Sequence, residues 1–448
     1  MFRQQRRLLL AVLTSLAVLS ANLCAGESQA SGSEVRVVEQ ADGTYTLLRN
    51  GEPYQVKGAG YGGHARPGNA LALLAESGGN SIRTWGIEQV EDVVEGKNLL
   101  DRAHELGITV SVGFWVQHAR HGFDYGDAAS IDRQRKLLRA TVLKYKDHPA
   151  LLTWGLGNEM EHVFKGKSET DVRIWKELNH LAGIIKELDP HHPVMTVTAG
   201  YSPSKIEAIH EHYPHLDILG VNNYGGAGSV GQGLPEAGWN GPYMLTEYGV
   251  AGTWEVPTTS WGAPIEPDSS TKAAVSYSAY KMDSERNVGR NLGSYVFVWG
   301  NKQEATFSWF GMFLPTGEKL PRVDAMAYAW TGEWPKNRAP KLRSLKTPVA
   351  MKKVGPGAST YAEVDVLDRE GDDLRYYWDI RAESSDRKHG GDREAAPPSF
   401  PDAIKKGQGT ARIEFKTPEK PGAYRVFVTA YDGEGGAAVH NLPFYVGK

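Results

Sequence analysis

The fold class this sequence predicts is α/β: a (β/α)8 TIM barrel followed by a small all-β sandwich. Three observations lead to it. From Val35 to about residue 335, short apolar runs alternate with helix-period segments, the mark of βαβ units on a parallel sheet. Eight such runs occur, without the phosphate-binding turn of a doubly wound sheet. Beyond residues 334–340 no helical period survives, and short alternating strands separated by turns take over.

The elements follow in order. A hairpin opens the region, Val35–Glu39 and Tyr45–Arg49 around Asp42–Gly43. Barrel strands are predicted at 54–61, 80–85, 108–115, 151–158, 194–199, 216–224, 243–248 and 294–299. Most are apolar throughout, as strands buried on both faces must be. Helices at 71–76 and 93–106 each lead to a glycine suited to a C-cap, Gly78 and Gly107. The helix at 131–146 puts Leu138, Val142 and Tyr145 on one face and stops before Pro149. Another spans 171–188 and ends at Asp189–Pro190. Ser202 as N-cap and Pro203 at the first helical position open the helix at 204–212. Helices at 271–288 and 323–330 complete the set, and the glycine-rich stretch 225–233 reads as a flexible cleft wall. In the last part, strands are predicted at 361–367, 374–380, 410–415 and 424–431, with 383–398 a polar loop. The expected division is 1–30 leader, 31–336 barrel and 337–448 immunoglobulin-like sandwich.

Composition agrees with one large unit and one small one in 448 residues. Apolar residues make up 40% and charged residues 23%, ordinary globular usage that excludes wholesale disorder. A net charge of −3 gives no basic excess, so no nucleic-acid or anionic-membrane partner is expected. Residues 1–30 read as a secretory leader: Arg3, Arg6 and Arg7 precede an apolar run at 8–19 that is too short to span a bilayer. The alternative is an uncleaved anchor. The leader places the mature chain outside the cytoplasm, secreted or periplasmic, with no transmembrane segment. The single cysteine, Cys24, lies in the leader, so the mature chain has no thiol for a disulfide, a nucleophile or a metal site. A lipid anchor at Cys24 is a further alternative.

In a parallel barrel the reactive groups sit where the strands end, because the βα loops converge there. The second strand ends at Arg83 and Trp85, and the third at Trp115, with Gln117 and His118 just after. The fourth ends at Asn158–Glu159, the sixth at Asn222, Asn223 and Tyr224, the seventh at Glu247 and the eighth at Trp299. A glutamate at the end of an apolar strand has no packing use, and its desolvation is costly unless it is partnered. Two carboxylates across an aromatic-lined mouth suit glycosidic bond cleavage, one giving a proton to the leaving oxygen and the other attacking the anomeric carbon. Arg83 and Tyr224 would keep Glu247 ionised, and Asn158 would donate to a sugar hydroxyl. Trp85, Trp115, Trp299 and Tyr61 would offer flat faces to sugar C–H groups. Asn222 and Asn223 either contact substrate or satisfy loop backbone. His118, His121 and His162 are loop histidines, plausible substrate contacts or plain surface residues. No His-x-x-x-His helix spacing accompanies them, so neither metal nor cofactor is expected.

Asn158–Glu159 after an apolar strand, Glu247 in TEYG, NSIRTWG at 80–86 and LLRNGEPYQVKGAGY at 47–61 together resemble clan A glycoside hydrolases. The likeness is strongest to stand-alone barrels of the family two and family five type, and it covers roughly Val35 to Trp334. The resemblance implies that Glu159 is the acid/base and Glu247 the nucleophile, that Asn158 binds the 2-hydroxyl, and that Arg83 and Tyr224 orient the nucleophile. It also implies that Trp299 floors the reacting sugar's subsite. Configuration at the anomeric carbon would be retained without metal, with carboxyl groups about 5–5.5 Å apart.

The expectation is therefore an exported retaining β-glycosidase acting on a poly- or oligosaccharide, of β-glucan type by its many loop aromatics. A transglycosylase on the same intermediate is one rival, with acceptor aromatics at Trp115, Trp254 and Trp261; a non-catalytic polysaccharide-binding protein is another. Trp309 also stands in a long loop of the kind that shapes a barrel's cleft. In the C-terminal part, 424–433 resembles the penultimate strand and turn of immunoglobulin-like or cadherin-like modules. Asp365, Asp368, Asp372 and Asp373 fit either a calcium loop or a solvated turn.

Overall fold

The computed structural model describes residues 32–63, 65–94, 96–161, 171–388 and 390–447. The leader, Cys24 and His162 lie outside the described residues. Eight parallel strands close into a barrel in the order their sequence dictates: Val56–Gly60, Ser81–Arg83, Thr109–Phe114, Leu151–Leu156, Val194–Ala199, Ile218–Asn222, Tyr243–Tyr248 and Asn291–Val296. All eight predicted strands are present. The last one begins and ends about three residues earlier than predicted, which matters at the site below.

The floor of the barrel is sealed from the N-terminal side. The hairpin Val35–Glu39 with Tyr45–Arg49 delivers Val35 and Leu47 into a cluster with Val56, Leu152, Met195, Ile218 and Tyr295. Gly58 leaves room for the Tyr295 ring, which lies 2.5 Å from where a Cβ would stand. Beside this floor, Ser33 Oγ lies 2.9 Å from His192 Nε2, and His192 Nδ1 lies 2.8 Å from Asp189 Oδ2. Asp189 also accepts the Trp154 indole N–H at 2.7 Å. The order of contacts is that of a hydrolytic triad, yet Ser33 is buried against the Leu151 carbonyl at 2.6 Å. The group is a polar lock that ties the incoming chain to the barrel.

Helices cover the outside, among them Ala128–Tyr145, Val172–Leu188, Pro203–His212 and Pro321–Thr331. Two expectations need correction. The helix predicted at 93–106 starts only at Leu99, because Val93–Val94 and Lys97–Asn98 pair as a tiny hairpin. The β-branched pair and Gly96, at φ 80°, favour that turn, and the Asn98 side chain then caps the helix through the Leu100 N–H at 2.9 Å. The glycine-rich stretch 225–233 is not a loose wall. It carries a 3-10 turn at Ala227–Ser229 and leads into the helix Val230–Glu236, with Val230 and Leu234 buried and the Gly231 N–H on Asp283 at 2.6 Å.

From Lys341 the chain builds two four-stranded sheets. One contains Lys341–Lys346, Ser359–Leu367 and Arg412–Lys416; the other contains Arg375–Ala382, Gly422–Tyr431 and Ala437–Val446. Their facing residues, including Trp378, Ile380, Ile413, Phe415, Val426 and Phe444, form a separate core, so the unit is a sandwich. Sandwich and barrel share a buried polar seam. Glu266 of the barrel accepts from Lys272, from Ser308 Oγ at 2.8 Å, from Thr306 Oγ1 at 2.6 Å and from Asn441 Nδ2 of the sandwich at 2.6 Å. Arg425 crosses the same seam to the Pro264 carbonyl at 2.7 Å. In the acid-rich turn, Asp368 Oδ1 accepts the backbone N–H groups of Glu370, Gly371 and Asp372, so it serves its own turn.

Candidate active site

Strand ends bring the predicted residues to one place. Arg83 is the last residue of the second strand, Asn222 the last of the sixth, and Glu247 lies within the seventh. The Glu247 carboxylate is buried and accepts three hydrogen bonds. Arg83 Nη1 reaches its Oε1 at 3.0 Å, Trp85 Nε1 reaches the same oxygen at 2.8 Å, and the Tyr224 hydroxyl donates to Oε2 at 2.6 Å. A buried carboxylate is tolerable only with such charge and donors around it. Burial, and after it the Glu247 carboxylate, holds the Tyr224 phenol well above its ordinary pKa, so the hydroxyl stays a donor.

The network continues toward the other glutamate. Arg83 Nη2 donates to Asn158 Oδ1 at 2.7 Å, and Asn222 Nδ2 donates to the same oxygen at 3.1 Å. With Oδ1 filled twice, the Asn158 amide has its Nδ2 donors left for other partners. Asn222 Nδ2 also reaches Glu159 Oε1 at 2.9 Å, and Asn222 Oδ1 is held by Thr246 Oγ1 at 2.8 Å. The two carboxylates therefore belong to one chain of contacts: Glu159, Asn222, Asn158, Arg83, Glu247. Glu159 is half-buried and has φ 52°, a left-handed backbone that is uncommon for any side chain but glycine or asparagine. That torsion, fixed by its N–H on the Val197 carbonyl at 2.8 Å, turns the residue away from the line of the strand.

Other expected residues are placed differently. Trp85 is in the site, but its indole N–H holds Glu247, so its part is that of a donor. Its ring rests over Gly60 and Gly62, each of whose Cβ positions would come within 2.7 Å of it. Trp299 is a correction: it is fully buried, donates to the Ala70 carbonyl at 2.8 Å and packs against Phe313 and Trp330. The eighth strand ends at Val296, so Phe297 is the ring that meets the site, with its centroid 5.9 Å from Trp85 and 5.7 Å from Tyr224. Asn223 is a second correction. Its backbone N–H bonds the Glu247 carbonyl and its side chain lies by Gly226, so Asn222, one residue earlier, occupies the network. Tyr61 is buried under the Arg66 guanidinium, 4.4 Å from its ring centre.

Trp115 is half-buried and faces a depression of about 580 Å3 whose wall also includes Trp85, Gln89 and Gln117. His118 packs beside it, 4.9 Å between ring centres, and is itself buried. Burial, helped by the charges of Arg120 and His121, pushes the His118 pKa down to about 4, so its imidazole is neutral. Of the loop tryptophans, Trp254 is 63% exposed and meets Tyr224 edge-on at 5.7 Å. Glu255 fixes that loop by accepting the N–H groups of Gly225 and Gly252 at 2.9 and 2.6 Å. Trp261 instead packs on Tyr445 of the sandwich, and Trp309 is buried with its N–H on Ala251. Among the described residues no group of three or more His, Cys, Asp or Glu is arranged to hold a metal ion.

No family model matches the chain. Pig (Sus scrofa) β-glucuronidase is 24% identical over 157 residues, 34% of this chain and 20% of that protein. Among solved structures, a Bacteroides uniformis β-glucuronidase aligns with 90% of this chain and 47% of its own, at 15% identity and TM-score 0.47. A family two β-galacturonidase from Eisenbergiella tayi, bound to galacturonate, aligns with 67% of this chain and 54% of its own, at 16% identity and TM-score 0.48. The chain thus spans about half the length of these structures and a fifth of the curated relative.

Proposed function

We propose that the protein is a retaining β-glycosidase. The observation that carries this reading is the single hydrogen-bonded chain from Glu159 to Glu247, with Glu247 clamped by Arg83, Trp85 and Tyr224. In the first step a Glu247 oxygen attacks the anomeric carbon while Glu159 gives its proton to the departing glycosidic oxygen. In the second, Glu159 takes a proton from water, the water oxygen bonds to the anomeric carbon and the Glu247 ester breaks. Asn158, with its Nδ2 donors free for a ligand, binds the hydroxyl beside the anomeric carbon. The clamp holds the Glu247 carboxylate in one orientation before substrate arrives, which is electrostatic preorganisation.

The substrate is a poly- or oligosaccharide. The half-buried Trp115 and exposed Trp254 are the aromatics left to support a β-glucan, and the names of the similar proteins add β-glucuronides and β-galacturonides to the candidates. The leader supports an exported chain, which N-terminal sequencing of the mature protein tests. The exposed Trp254 beside Tyr224 supports a second reading, transfer to an acceptor sugar instead of water. One experiment tests the core claim. Aryl β-glucoside, β-galactoside, β-glucuronide and β-galacturonide are offered to the wild type and to Glu247→Ala with and without azide. Turnover by the wild type, its loss in the variant and return as a glycosyl azide support the reading. No turnover of any member by the wild type, or an active Glu247→Ala, sinks it. Chain elongation at high oligosaccharide concentration distinguishes transfer from hydrolysis.

A further inference from the structure

The sandwich does not simply sit beside the barrel: its loop residues 383–388 and 390–398 reach the βα connections of the barrel at three points. The root of the loop is fixed by Glu383, which accepts from Arg425 Nε at 2.6 Å and Nη2 at 2.8 Å, with Arg425 fully buried. Arg387 Nη2 then donates to Thr253 Oγ1 at 2.9 Å, after the seventh barrel strand. Glu394 Oε2 accepts the Ala305 N–H at 2.7 Å, after the eighth. Asp392 Oδ2 accepts Arg120 Nη1 at 2.9 Å and lies 3.2 Å from His121 Nε2, after the third. Strands three and seven face each other across an eight-stranded barrel, so the loop touches βα connections on opposite sides of it.

We infer that this loop completes the substrate cleft, and that Asp392 is a positioning residue holding the Trp115, His118 and His121 wall on which a sugar beyond the reacting one packs. The inference rests on the glycosidase reading and deepens it. The Arg120 side chain is only 10% exposed although it stands on a short 3-10 turn after the third strand, so its charge has to be matched. Asp392 is the carboxylate that reaches both Arg120 and His121. Arg120 Nε in turn points at His118 Nδ1, 3.4 Å away. The rings follow: His118 to Trp115 at 4.9 Å, His121 to His118 at 5.5 Å and His121 to Trp115 at 6.5 Å. Trp115 and Trp85 line one depression, and Trp85 is also the donor to Glu247. Trp85 thus links that depression to the reacting carboxylate, and a residue from the other end of the chain holds the Trp115 side of it in place. The partly exposed Trp115 ring, backed by the buried His118 imidazole, suits the apolar face of a sugar.

The test compares wild type, Asp392→Ala, Asp392→Asn and Asp392→Glu on the longest oligosaccharide that the wild type turns over, taken from β-1,3-, β-1,4- and β-1,6-linked glucose and β-linked uronate series. Asp392→Ala and Asp392→Asn should raise KM about tenfold while kcat moves less than about twofold, because the wall binds and does not react. Asp392→Glu should recover most of the loss, and Arg120→Met added to Asp392→Ala should cost less than the two single losses multiplied. A KM within about twofold of wild type in both Asp392→Ala and Asp392→Asn overturns the inference, as does a loss of kcat and melting temperature at steady KM. If the wild type turns over no member of the series or of the aryl glycosides, the parent reading fails. If it is active and the Asp392 variants match it, only this inference fails.

Discussion

The Arg83 guanidinium bridges the two halves of the site: one nitrogen lies 3.0 Å from Glu247 Oε1 and the other 2.7 Å from Asn158 Oδ1. A third contact, Nη1 to the Thr246 carbonyl at 3.1 Å, fixes the plane of the fork. One planar cation thus sets the Glu247 carboxylate and the Asn158 amide in a single geometry, which a lysine point charge could not do. Arg83→Met is expected to lower kcat about 10²–10³-fold on an aryl glycoside, the scale of losing one preorganised donor. It should also cost about 3–5 kcal/mol in denaturant unfolding, since Glu247 is left buried without its cation. Activity within about twofold of wild type would rule out the orienting role.

Tyr224→Phe removes a hydroxyl 2.6 Å from Glu247 Oε2. Steady-state kinetics should show kcat/KM lower by about 10–10²-fold, the equivalent of a hydrogen bond to a charged group. The phenol pKa is raised by burial first and by Glu247 second, so wild-type Tyr224 keeps its proton as pH rises past the ordinary tyrosine range. Any alkaline fall in the rate profile up to pH ~10 should therefore persist in Tyr224→Phe. A limb that vanishes in the variant contradicts the raised value.

Acid should weaken the fold through His118. Burial holds its pKa near 4, below the ordinary value of 6.5. Between those limits the unfolded chain binds a proton that the native one does not, so stability rises with pH and is lost as pH falls through this window. The whole effect is on the order of 3 kcal/mol. Urea unfolding of wild type from pH 7 to pH 4 should show this decline, and His118→Gln should flatten part of it. Parallel curves for the two proteins would contradict the assignment.

The lock beneath the barrel offers a stability test remote from the chemistry. His192→Ala removes the imidazole that joins buried Asp189 and Ser33, leaving Asp189 with the Trp154 and His191 N–H groups and Ser33 with the Leu151 carbonyl. Its melting temperature is expected to drop by roughly 5–10 °C, while the folded fraction keeps the wild-type kcat.

Glu266 and Arg425 join barrel and sandwich through buried polar contacts. Calorimetry of the wild type should therefore give one cooperative transition. Arg425→Met, which leaves Glu383 without its cation, should broaden or split it. Two separate transitions already in the wild type would count against the shared seam.

Much of the site was legible from strand ends alone. Arg83, Asn158, Glu159, Tyr224 and Glu247 all lie where apolar runs stop, and the barrel closes those stops into a ring. Register was less legible. The seventh strand slips against the sixth between Val221 and Asn222, so counting alternate residues does not tell Asn222 from Asn223. The same limit moved the aromatic of the eighth strand from Trp299 to Phe297. Asp392 had no local signal at all: its partners Arg120 and His121 are far off in sequence, and only the packing of sandwich on barrel brings them together. The indole N–H of Trp85 was hidden for a different reason, since composition reads tryptophan as a surface for sugars before it reads it as a donor.

The torsion at Glu159 carries one more implication. A left-handed backbone at a residue with a full side chain costs about 1–2 kcal/mol. Glycine would relieve that tension, and the strand would end more comfortably for it. The chain instead keeps a carboxylate there, with its Oε1 against Asn222. On the proposed reading that discomfort serves proton transfer, and a scaffold that only held saccharides would gain nothing from such a twist.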